Sequence, residues 1–83
     1  MNRTRGFTLK WAGLRITAEQ GASRWKALVF DATTNEPIYE SEESGPDEAK
    51  RVAVEFAVLH LFKSTDGFRP ELLSGMLPWE SSE

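Results

Sequence analysis

The stretch Phe7-Thr8-Leu9-Lys10-Trp11-Ala12-Gly13-Leu14-Arg15-Ile16-Thr17-Ala18 decides how the strands of this chain are counted. Phe7, Leu9 and Trp11 alternate with Thr8, Lys10 and Ala12, the period of a half-buried strand. After Gly13 the apolar set becomes Leu14, Ile16 and Ala18, so the parity flips. One inserted residue at Ala12-Gly13 restores a common face, and glycine inside a strand often marks such a bulge. A tight turn between two short strands is the alternative. The single bulged strand is the preferred reading.

The rest of the chain follows outward from this strand. Glu19-Gln20-Gly21-Ala22-Ser23 reads as a hairpin loop, with glycine supplying a positive φ. Residues 25–32 form the second strand, apolar on both sides: Trp25, Ala27 and Val29 on one, Leu28 and Phe30 on the other. That pattern suits a central strand covered on both faces. Thr33, Thr34 and Asn35 mark a turn, and residues 38–42 a short third strand whose acidic outer positions blunt a sheet edge. Ser44-Gly45-Pro46-Asp47-Glu48 then opens a helix. Proline at the first helical position sacrifices no hydrogen bond, and two acids in the first turn complement the helix dipole. The helix is expected over residues 46–63, with Asp66-Gly67 ending it and a further turn over residues 70–73. The fold class is α+β: a three-stranded antiparallel sheet packed on one long helix (β-β-β-α), followed by a short helical or irregular tail. The expected organisation is one domain over residues 1–83, with its core at about 6–64 and its tail at 65–83.

Composition narrows the function classes. The 83 residues are 40% hydrophobic and 28% charged, with no cysteine and one histidine. This is a globular composition that excludes thiolate chemistry, cysteine-ligated metals and a disulfide scaffold. The net charge of −3 conceals an asymmetry. Residues 1–30 carry six bases against Glu19 alone, whereas residues 31–48 carry seven acids and no base. The two segments neutralise one another if the fold sets them side by side; otherwise the basic third is a footprint for nucleic acid. Lys10 and Arg15 interrupt any apolar leader near the start, and the apolar stretch at residues 52–62 falls far short of a membrane span. A cytoplasmic location is expected.

The helix carries more apolar surface than a small sheet can cover. At 100° per residue, Ala49, Val52, Ala53, Phe56 and Leu59 form the stripe expected to face the sheet. Val54, Val58 and Leu61 form a second face, with Phe62 beyond, and nine of the eleven residues 52–62 are apolar. The cover is either the tail, through Phe68, Leu72, Leu73, Met76, Leu77 and Trp79, or a second copy of the chain.

Sites of chemistry are sparse. No phosphate-binding loop, dinucleotide fingerprint, zinc-protease motif or nucleophile elbow is present. Glu40, Glu42, Glu43, Asp47 and Glu48 lack the spacing of a calcium loop and read as a solvated face. His60, on the sheet-facing side of the helix, has no identifiable acid or nucleophile to work with. The expectation is therefore no enzyme, no cofactor and no metal. Trp11 and Trp25 are read as core, and Trp79 as an interface anchor.

Arg24-Trp25-Lys26-Ala27-Leu28-Val29-Phe30-Asp31, then a turn, a short strand and Asp47-Glu48-Ala49 opening a helix, resembles the AP2 domain and the related arm-binding domains of phage-type integrases. The resemblance spans about residues 24–57. It implies a three-stranded sheet on one helix, binding DNA through the sheet's exposed face. Leu28 and Phe30 stand where that family places polar or charged DNA contacts, Pro37 at an arginine position and Tyr39 at a tryptophan position.

The expected function is a small protein-interaction or self-associating module that uses the apolar far faces of sheet and helix. Leu28, Phe30, Tyr39, Val54, Val58, Leu61 and Trp79 are its interface candidates, and a protein partner or homodimer is the expected occupant. The alternative is a nucleic-acid-binding domain contacting phosphates through Lys10, Arg15, Arg24 and Lys26, with Tyr39 stacking on a base.

Overall fold

A computed structural model describes residues 6–64 and 66–81. The elements in chain order are β1 (Gly6–Trp11), β2 (Leu14–Gln20), β3 (Trp25–Asp31), β4 (Pro37–Glu43), α1 (Pro46–Phe62), α2 (Pro70–Met76) and β5 (Glu80–Ser81). The strands make one antiparallel sheet in the order β4-β3-β2-β1-β5. The class is α+β with one main helix, and the sheet has five strands where three were expected.

Two causes account for the extra strands. The first is at Ala12-Gly13, where a two-residue turn replaces the expected bulge. Both residues lie at positive φ, 52° and 80°, as a type I′ hairpin requires. Trp11 pairs with Leu14, Leu9 with Ile16 and Phe7 with Ala18, which brings the two apolar sets onto one face across a hairpin. The second is β5, two residues that pair with Phe7 and Thr8 after the tail has crossed back to the first strand. Gly21 also differs from expectation. Its φ is not positive, and glycine is needed there because a Cβ would lie 2.7 Å from the Arg24 carbonyl oxygen.

One face of the sheet carries the core. Leu9, Leu14, Ile16, Ala18, Ala27 and Val29 meet Ala49, Ala53 and Ala57 of α1. Three alanines four apart lay a smooth ridge along the helix, opposite the equally small Ala18 and Ala27. A β-bulge between Val29 and Phe30 leaves Ile38 without a partner on β3, and Ile38 packs against the core.

The helix is rotated from its expected setting. Its fully enclosed residues are Ala49, Ala53, Val54, Ala57 and Val58, while Leu59 is 39% exposed. The cause is the tail: α2 packs against α1, Leu77 and Trp79 reach the core, and Phe62 stacks on Phe68 with centroids 5.0 Å apart. The second helix face is thus enclosed at Val54 and Val58, while Phe62 stays 52% exposed, and Leu72 and Met76 of the tail point to solvent rather than onto the helix. Val54 and Val58 have no exposed area and offer no surface to a partner, which removes them from the interface candidates. Leu61 is half-buried against the same core. Tyr39 also lies elsewhere than expected. It pairs with Val29 on the helix side of the sheet and stacks on Phe56 at 3.7 Å.

Alanine at a left-handed position is costly, by about 1–2 kcal/mol relative to residues that adopt it freely. Asparagine tolerates that conformation and is the favoured first residue of this turn. Ala12→Asn is therefore expected to stabilise the protein by about 1 kcal/mol, raising Tm by roughly 4–8 °C in a thermal melt.

Candidate interaction surface

With both helices on one side, the other side of the sheet has no layer over it among the described residues. The register decides which side chains stand there. Thr8 and Lys10 come from β1, Arg15, Thr17 and Glu19 from β2, Lys26, Leu28 and Phe30 from β3, and Glu40 and Glu42 from β4. Glu80 joins them beside Thr8.

The centre of this face is apolar. Leu28 is flanked by its cross-strand partners Thr17 and Glu40 and retains only 9% exposure without any covering layer. Phe30 is half-buried, and the Arg15 guanidinium carbon lies 4.6 Å from its ring centroid, a cation–π arrangement across the β2–β3 pair. The Thr8 and Thr17 hydroxyls are 3.3 Å apart. Thr8, Arg15, Thr17, Leu28 and Phe30, with Phe7 and Glu19, border a hollow of about 360 Å³.

The rim carries both signs of charge. Lys26 Nζ is 3.4 Å from Glu40 Oε2, with both side chains substantially solvated, so this pair contributes little stability. Arg24 is exposed in the loop between β2 and β3. Of the four basic candidates, Lys10, Arg15 and Lys26 therefore gather on the open face, interspersed with Glu19, Glu40, Glu42 and Glu80. Of the acidic segment 31–48, Glu40 and Glu42 reach this face, and Glu40 pairs there with Lys26.

Two other places bear on the site. A hollow of about 590 Å³ between the start of α1 and the tail is bordered by Phe7, Asp47, Lys50 and Trp79. Lys50 Nζ sits 3.7 Å from the Phe7 ring centroid and 5.6 Å from that of Trp79. The Trp79 indole N–H donates to the Ser74 carbonyl at 2.7 Å. Trp79 is thus engaged as the fastening of the tail. The acids ahead of and within the first turn of α1 are spread along the chain, with Glu43 accepting from Ser41 and Glu48 from Ser44. Among the described residues no three acidic or histidine side chains converge as a metal-binding group. His60 is exposed on the last turn of α1, off the expected sheet-facing side.

Sequence reasoning missed the contact between Arg15 and Phe30. These two residues are direct cross-strand partners, and the pairing becomes readable only once Ala12-Gly13 is recognised as a turn. Comparison with protein families, with curated proteins and with solved structures finds no match to this chain. No helix among the described residues is long and apolar enough to cross a membrane.

The engagement of Trp79 predicts the effect of its removal. Trp79→Ala is expected to cost about 2 kcal/mol, below the 3–5 kcal/mol of a fully buried tryptophan because this one is only half-buried. Chemical denaturation measures the loss, and a rise in binding of a hydrophobic dye would report the uncovering of Val54 and Val58.

Proposed function

We propose that this protein is a small protein-binding module whose docking surface is the open face of the sheet, centred on Leu28 and Phe30. The observation that carries the reading is the asymmetry of the sheet: one face is closed by α1 and α2, and the other presents the half-buried Phe30 ring, with the 9%-exposed Leu28 beside it and nothing laid over them among the described residues. An apolar centre within a polar, charged rim is the usual anatomy of a protein interface. The role is one of binding, and no catalytic step is assigned to it.

The occupant that fits best is a second copy. Lys10 and Arg15 lie on the β1–β2 side of the face, together with Glu19 and Glu80, and Glu40 and Glu42 lie on the β4 side, beside Lys26. A two-fold axis running along the strands between two such faces sets Lys10 and Arg15 of each copy over Glu40 and Glu42 of the other. That arrangement satisfies the self-complementarity an isologous interface demands. Tyr39, Val54 and Val58 have no part in it.

Sedimentation across a dilution series tests this directly. The expected result is a dimer that dissociates on dilution, and a Phe30→Glu variant that stays monomeric with an unchanged circular dichroism spectrum. A monomer at every concentration would sink self-association, and an unfolded Phe30→Glu variant would make Phe30 a core residue.

A second reading, nucleic-acid binding, has one observation in its favour. Lys10, Arg15 and Lys26 share the open face with the Phe30 ring, which is the exposed-face geometry that the AP2 resemblance implies. Four glutamates on the same face repel phosphates. If this reading holds, affinity for a single-stranded oligonucleotide falls steeply between about 50 and 200 mM salt. Absence of binding in low salt removes it.

A further inference from the structure

The two edges of the sheet are not alike. At one, β5 covers β1 opposite Phe7 and Thr8, and Pro78 lies beside Leu9 and Lys10. At the other, β4 runs for seven residues with no strand on its outer side among the described residues. An unpaired edge presents a row of backbone donors and acceptors, a ready template for another strand.

The side chains along β4 differ between its two faces. On the open face Glu40 and Glu42 are exposed, two residues apart. Among the described residues one ion pair reaches them, Lys26 with Glu40. On the helix face a notch of about 180 Å³ is lined by Tyr39, Val52, Glu55, Phe56 and Leu59. Its wall is apolar apart from Glu55, whose carboxylate pairs with Arg51 at 3.3 Å, and Leu59 is 39% exposed there. A second β4 makes a poor partner, because antiparallel self-pairing sets these glutamates near their own copies, and like charges across a strand pair repel.

We infer that β4 accepts an extended segment of a partner protein as an added strand, with lysine or arginine alternating with an apolar residue. An added strand sends successive side chains to opposite faces. Those on the open face lie alongside Glu40 and Glu42 and are basic; those between them enter the notch and are apolar. Main-chain hydrogen bonds hold the segment, and the two faces of β4 select its sequence. The inference uses the free backbone edge of β4 and does not depend on the open-face dimer, although Glu40 and Glu42 belong to both, so that peptide and second copy compete for them.

The probe is a fluorescein-labelled synthetic peptide of alternating lysine and valine, titrated against the full chain by fluorescence anisotropy. Saturable binding is expected. A Glu40→Lys/Glu42→Lys double variant, with its fold checked by circular dichroism, should weaken binding about tenfold or more. A peptide methylated on the backbone nitrogens that would face β4 should weaken it similarly, because it keeps the charge and loses the strand donors. A peptide of the same composition with its lysines contiguous should bind less well. Equal binding by the methylated or reordered peptide would reduce the effect to charge alone and overturn the inference. So would the absence of saturable binding at millimolar peptide. Phe30→Glu should bind the peptide at least as tightly as the unaltered chain, because it frees Glu40 and Glu42 from the dimer. If it abolishes peptide binding, the peptide sits on the open face and strand addition at β4 fails, while the open-face reading stands.

Discussion

The fold depends on a seam of small side chains. Ala49, Ala53 and Ala57 of α1 meet a sheet surface in which Ala18 and Ala27 flank Ile16 and Val29, and none of these residues retains exposed area. Alanine ends at Cβ, so the helix lies close to the strands and leaves no gap that a larger residue would need to fill. A seam of methyl groups buries little apolar area per residue. Larger rings stand at its margins, Tyr39 on Phe56 at one side and Phe7 with Trp25, Lys50 and Trp79 at the other. The small residues set the distance between helix and sheet, and the aromatic margins add area.

That close fit also accounts for the surface left over. Once α1 lies against the strands, its remaining apolar side is reached by α2, so both helices occupy the same side of the sheet. Nothing described lies on the other side. Strand β3, apolar on both faces, keeps Ala27 and Val29 in the core and turns Leu28 and Phe30 outward. Leu28 is nearly inaccessible because its strand neighbours crowd it, while Phe30 shares its ring with Arg15.

Much of this was legible in the sequence, and the failures have physical causes. The start of α1 was readable because Gly45-Pro46-Asp47-Glu48 combines a fixed φ with acids at the positive end of the helix. The second strand was readable because its alternation is local. The turn at Ala12-Gly13 was not, since a one-residue bulge and a two-residue hairpin turn shift apolar parity alike, and alanine hides a position usually held by asparagine or glycine. The side chosen by Tyr39 was recoverable: Glu40 and Glu42, two apart and outward, place Tyr39 and Ser41 inward. Strand β5 was beyond reach, for two residues have no periodicity. The stripe of Ala49, Val52, Ala53, Phe56 and Leu59 omits Ala57, whose burial marks the rotation that encloses Val54 and Val58.

The pairing of β5 with β1 also sets an order in time. Strands β1 to β4 form a meander in which each pairs with its neighbour in sequence, so those contacts close short loops and form early. The β1–β5 pair joins residues more than seventy positions apart, and closing so long a loop is entropically the most demanding step in the sheet. The last strand is therefore expected to zip up after the rest and to be the first to fray. The edge of β1 is then bare longest during folding, and it is covered only when the far end of the chain arrives.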